Sequence, residues 1–282
     1  MTPKPGWKKS INVDAAFGAE PIEAKLERTR AAGCDEVELN IGANAALATD
    51  IAESDCVDLA KQAQSAGLAI SALCLNDPRV SNLVSPVAQD RQSAVELVTA
   101  ALERAAWLGT DLLVLGPCKT GNPASSRSLQ RATVEASGAA PPYDEQCAFA
   151  LDSLLSLRFE AEARAVHLAC RTASDGFRLS LGEMRELIDR LCSPWCRVSL
   201  DLATPLQHRK AEHWIRGLGH RLVCMHFGDS ALRDPSTSAI AVNWPGIRSA
   251  LNEVAYTGLL TYHDRIDDVD EFKSRFDQIT SD

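Results

Sequence analysis

The apolar and polar positions divide the chain into short strand-like runs that alternate with longer helical ones. Residues 35–42 alternate with period two, which sets Glu38 and Asn40 on one face of a strand. Residues 68–75 form an unbroken apolar run, the pattern of a parallel strand covered on both faces. Further strand-like runs fall at 11–14, 111–116, 166–170 (ending at Arg171), 196–201, 221–226 and 259–262. Between them, Pro21 opens a helix that stops at Gly33, and a second helix runs from about Asp55 to Gly67. The clearest helical period joins Val95, Val98, Leu102, Ala105 and Leu108. A fourth helix is expected over residues 144–165. Ser180-Leu-Gly-Glu183 is a capping box that opens a helix striped with Leu181, Met184, Leu187, Ile188 and Leu191. Helices are also expected near 212–218 and 245–254, and a last one buries Val269, Phe272, Phe276 and Ile279.

Eight strand signals alternating with eight helix signals predict an α/β fold, a single (β/α)8 TIM barrel spanning residues 1–282. The length suits one such barrel, and no internal linker suggests a second domain. A long polar connection, 117–142, has no pattern of its own. It reads either as a solvated loop or as a mobile lid whose Lys119, Arg127 and Arg131 meet an anionic substrate.

In such barrels the chemistry sits at the C-terminal ends of the strands. Three consecutive runs end in Asp201, His226 and His263, all of them metal ligands or bases by type. Charge narrows the partners. With 29 Lys+Arg against 38 Asp+Glu, the net charge of −9 argues against nucleic acid and against an anionic membrane. A small-molecule substrate is the expected partner. No apolar run reaches transmembrane length, and the first residues lack a hydrophobic signal core. Nine cysteines, with Cys34, Cys74, Cys170 and Cys224 in apolar contexts, look like reduced core residues, so a cytoplasmic location is expected. Cys192 and Cys196 lack a second cysteine pair and give only a weak zinc or redox signal.

Four motifs carry a resemblance: Ala32-Gly-Cys-Asp-Glu-Val-Glu38-Leu, Val198-Ser-Leu-Asp201, His226-Phe-Gly-Asp229 and Tyr256-Thr-Gly-Leu-Leu-Thr-Tyr-His263. Their order and spacing, over nearly the whole chain, resemble the xylose isomerase-like barrels, in particular the sugar phosphate isomerase/epimerase proteins. The resemblance implies one divalent metal (Mn, Zn, Fe or Co) and no organic cofactor. It also implies proton transfer beside a carbonyl by two glutamates, which are themselves ligands at the ends of strands five and eight. Relatives often self-associate, so a homo-oligomer is compatible with the resemblance, although no apolar stripe demands one. Asp201, His226 and Asp229 match the pattern. The strand-five glutamate falls on Arg171, the strand-eight glutamate on His263, and a family histidine on Thr204. The apurinic-site endonuclease branch needs a multi-metal cluster, for which this chain has too few ligand-bearing strand tips.

Those replacements define the question. An arginine neither ligates a metal nor acts as a base near neutral pH, but it holds carboxylates and phosphates bidentately. Two arrangements stay open. In one, Asp201, His226 and His263 bind the metal as a two-histidine, one-carboxylate set. In the other, the pocket is metal-free and Arg171 pairs with Asp201 or Asp264. The first functional expectation is an isomerase or epimerase acting on a small polyhydroxylated or ketose-type substrate. His263 would be its base, with Arg171, Glu38 and Lys119 touching substrate. The second is a catalytically degenerate barrel that binds an acidic sugar-like ligand without metal or turnover. Each residue also has a plainer reading: Asp201 as an ion-pair partner of Arg171, and Glu38 as an ordinary charge partner. His208, His213 and His220 read as surface residues.

Overall fold

Strand formation follows from side chains that face helices on one side and the barrel bore on the other. The computed structural model describes residues 6–43, 45, 47–115, 143–172, 179–202, 211–228 and 242–280. The strands are β1 (Lys8–Asn12), β2 (Glu36–Ile41), β3 (Ala69–Leu75), β4 (Leu112–Leu115), β5 (His167–Arg171), β6 (Cys196–Asp201), β7 (Leu222–Phe227) and β8 (Leu259–Tyr262). Each pairs in parallel with the next, and β8 returns to β1 from Lys8↔Leu259 to Ile11↔Tyr262, closing the barrel. The main helices are α1 (Val13–Phe17), α2 (Ile22–Ala31), α3 (Glu53–Ser65), α4 (Ala88–Trp107), α5 (Tyr143–Ala163), α6 (Leu181–Leu191), α7 (Ala211–Leu218), α8 (Trp244–Glu253) and α9 (Val269–Thr280).

Two local features differ from the sequence expectation. The first strand lies earlier, because Asn12 ends it: its side chain accepts from Ala15 N and caps α1, so Val13 and Asp14 are helical. A 3₁₀ turn at Pro78–Val84 was not anticipated; Asp77 caps it by accepting from Arg79 N. The capping box of α6 is complete, with Ser180 Oγ accepting from Glu183 N and the Glu183 carboxylate accepting from Ser180 N. The connection 117–142, including Lys119, Arg127 and Arg131, lies outside the described residues, as do Thr204, His208, Asp229 and the side chain of Ile279.

The core has two parts. Outside the sheet, Leu39, Ile41, Leu73, Leu113, Leu168, Leu200 and Met225 pack with helix residues such as Leu102, Leu157, Ile188, Ile215, Leu251 and Phe276. Inside the bore, a smaller cluster joins Ala72, Cys74, Leu112, Val114, Ala169, Cys224 and Leu259. Most of these inner side chains are small, which leaves room for a polar layer at the strand C-terminal ends. At the entry to β8 the backbone approaches β7 closely. A Cβ on Gly258 would lie 2.2 Å from the Val223 carbonyl oxygen and 2.7 Å from the Tyr256 ring, so a side chain has no room there. The described cysteines are free thiols, and among the described residues no helix is long and apolar enough to cross a membrane.

Candidate functional site

The polar layer is built by the strand alternation itself. Inward positions of β1, β2, β5, β6 and β7 carry Asn12, Glu38, Asn40, Arg171, Ser199, Asp201 and His226. His263 follows directly on β8. Its backbone N–H donates to the Phe227 carbonyl, which fixes the strand tip beside β7, and its ring centroid lies 5.8 Å from that of His226.

Glu38 and His226 form a fully buried pair, with His226 Nε2 2.8 Å from Glu38 Oε2. The other ring nitrogen, Nδ1, lies 2.8 Å from Ser199 Oγ. Asn12 Nδ2 donates to Glu38 Oε1 and to Asn40 Oδ1, both at 2.7 Å. The result is a continuous chain from Asn40 through Asn12, Glu38 and His226 to Ser199. Burial works against the charged imidazole, but the Cys224 sulfur and the Glu38 carboxylate outweigh it and raise the His226 pKa from 6.5 to about 9. Burial likewise opposes the Glu38 carboxylate; the charge and hydrogen bond of His226, then Asn12 and Arg171, prevail and lower its pKa. The pair is therefore ionised at neutral pH.

Arg171 forms the second pair. Its side chain is only 7% exposed, and Nη2 donates to Asp201 Oδ2 at 2.7 Å. Of the two carboxylates considered for Arg171, the one it meets is Asp201. Thr172 Oγ1 accepts from Asp201 N and fixes the aspartate's backbone. Arg171 Nε is buried and makes no hydrogen bond among the described residues. Burial works against the guanidinium, but Asp201, Cys74 and Glu38 together hold its pKa above the ordinary arginine value. Burial also pushes the Cys74 thiol far up, so it stays protonated beside the guanidinium.

The donor set tests a metal directly. Glu38, Cys224 and His226 offer ligand atoms that lie within 4.8 Å of one another, a grouping able to hold an ion. Their present engagements oppose it. Both nitrogens of His226 and both oxygens of Glu38 already have partners. Asp201, the carboxylate of the other candidate set, lies against a guanidinium. A unit charge 4 Å from another interacts by about 4 kcal/mol at an effective dielectric of ~20, and a dication near Arg171 doubles that repulsion. The residues as arranged do not fit a divalent metal.

Sequence reasoning missed several partners: Asn12, Ser199, Thr172, Cys74 and Cys224. Ser199 and Cys224 were detectable in principle, since each lies two residues before a singled-out strand tip and so shares its face.

A closed parallel barrel with its charged side chains gathered at the strand C-terminal ends defines the class of α/β barrels built around a site at that mouth. The chain belongs to the xylose isomerase-like TIM barrel family, whose model matches residues 26–274. Among solved structures, it is similar to D-psicose 3-epimerase with D-tagatose from Clostridium cellulolyticum H10, at 16% identity and a TM-score of 0.73, covering 92% of this chain and 85% of that one. It is similar to 3-keto-D-glucoside 4-epimerase from E. coli at 15% identity and a TM-score of 0.71, covering 98% and 100%. An L-ribulose 3-epimerase matches at 18% identity and a TM-score of 0.72, over 98% and 86%. No curated protein matches the chain by sequence.

Proposed function

We propose that this chain is a sugar phosphate isomerase/epimerase-like protein acting on a small polyhydroxylated, ketose-type compound at its strand C-terminal ends. The observation that carries the reading is the family barrel with a buried guanidinium at its mouth, one N–H of which has no hydrogen-bond partner among the described residues. The similar structures are epimerases of D-psicose, 3-keto-D-glucoside and L-ribulose, compounds with a carbonyl beside a hydroxylated carbon. In this reading Arg171 receives the carbonyl oxygen. His263 removes the proton from the neighbouring carbon, and the C–H electron pair moves into the carbonyl to give an enediolate held by Arg171. For isomerisation, His263 returns the proton from the same face to the former carbonyl carbon, while the neighbouring hydroxyl proton passes to the former carbonyl oxygen. For epimerisation, solvent water delivers a proton from the opposite face and His263 releases its own to solvent. Asp201 orients Arg171. Glu38 is held by Asn12 and His226 and frames the pocket from below.

The test is solvent exchange. Incubating the chain with D-psicose, D-tagatose, D-fructose or L-ribulose in D2O should place deuterium on the carbon beside the carbonyl. His263→Ala should abolish that exchange; unaltered exchange in that variant removes His263 from the mechanism. One observation favours a second reading, a barrel that binds an acidic sugar-like ligand without turnover. His226 is fully buried and both its ring nitrogens are occupied, so it offers no proton-transfer group to a ligand. Saturable binding of a sugar acid, with no exchange in any ketose, selects that reading.

A further inference from the structure

We infer that Arg171 is a resident cation in the place of a divalent metal, so that this barrel holds no metal ion at its strand tips. Three independent features support this. The first is fixed charge. The Arg171 guanidinium, which stays charged, lies 2.7 Å from Asp201 and already neutralises the carboxylate a metal at the strand tips would need.

The second feature is the state of the donors. His226 has no vacant ring nitrogen: Nδ1 meets Ser199 and Nε2 meets Glu38. A metal on either nitrogen must break one of these bonds inside a fully buried layer and leave the displaced partner unsatisfied. Glu38, Cys224 and His226 are the one grouping with metal-ligand spacing found among the described residues, and it includes this same imidazole and this same carboxylate. The third feature is space. Four of the seven side chains clustered in the bore, Ala72, Cys74, Ala169 and Cys224, are small, and the Arg171 side chain is almost wholly buried. A long side chain enters this room, and its positive head lies against Asp201.

The inference concerns the same strand-tip site as the proposed function, but its readout is metal content and not turnover, so either can fail alone. The full-length chain is purified, incubated with Mn2+ or Co2+, desalted and analysed for metal. The wild type should retain far less than one ion per chain. Arg171→Glu exchanges the cation for a carboxylate beside Asp201, His226 and His263. It should take up about one Co2+ per chain, develop the visible absorption of bound Co2+, and unfold at a higher temperature with the metal than without. Arg171→Gln removes the charge and frees Asp201 without adding a carboxylate, and it should bind Co2+ at least tenfold more tightly than the wild type. A near-stoichiometric metal in the wild type overturns the inference. So does a folded Arg171→Glu that binds no more Co2+ than the wild type. Should Arg171→Glu not fold, Arg171→Gln decides, and Co2+ affinity equal to that of the wild type overturns it.

Discussion

Replacing Glu38 by glutamine keeps the side-chain length and the acceptor for Asn12 but removes the charge opposite His226. In the wild type the His226 pKa is raised from 6.5 to about 9. Cys224 raises it as well as Glu38, so losing the Glu38 charge removes only part of that shift and, at about 1.4 kcal/mol per pKa unit, should cost on the order of 1–2 kcal/mol. The sign of the pH dependence follows from the direction of each shift. The histidine's raised pKa stabilises the fold fully below 6.5, and the contribution is lost as pH rises through about 9. The glutamate's lowered pKa contributes above the ordinary value of 4.5 and is lost as pH falls through the lowered one. Urea unfolding of wild type and Glu38→Gln should therefore differ most between about pH 5 and 6.5 and converge towards about pH 10. A gap that does not vary with pH would refute the reasoning. So would a His226 ring resonance that titrates near 6.5 in the wild type.

Further outcomes rest on packing and local bonds. Gly258→Ala forces a Cβ to within 2.2 Å of the Val223 carbonyl and should cost about 3 kcal/mol by chemical denaturation. Gly109→Ala meets open space but a φ of +74°, so it should cost only about 1–2 kcal/mol. Leu102→Ala, at a fully buried position of α4, should destabilise by about 2–5 kcal/mol in the same assay. Ser199→Ala leaves His226 Nδ1 only the weaker Cys224 sulfur as a partner and should cost about 1–2 kcal/mol, with little change in the far-ultraviolet circular dichroism.

The barrel was legible because its physics is periodic. Alternation in residues 35–42 and the stripe on residues 95–108 each announce one face, and every βα unit repeats the announcement. The start of β1 was misplaced because Lys8 and Lys9 look like a charged lead-in. At the N-terminal rim of the barrel, strand ends reach water, and these lysines pair with Glu36 and Asp277. The strand tips Asp201, His226 and His263 and the departure at Arg171 were readable one by one. Their partners were not. Glu38 and His226 are 188 residues apart in the chain, and only closure of the barrel brings one to the other. Asn12 carried no signal of its own within the run expected at 11–14, yet it bonds two side chains of β2 at once. Which polar groups satisfy one another inside a bore depends on the stagger of the whole sheet, a global quantity that no local window contains.

The Glu38–His226 contact also has a mechanical side. Its two ends stand on β2 and β7, which are not neighbours in the sheet; β8 and β1 lie between them around the wall. The bond is thus a tie rod across the bore rather than a rung along it. A barrel wall alone resists stretching along its hoop of hydrogen bonds but flattens easily into an ellipse. A buried tie between β2 and β7, just beneath the strand tips, opposes that flattening.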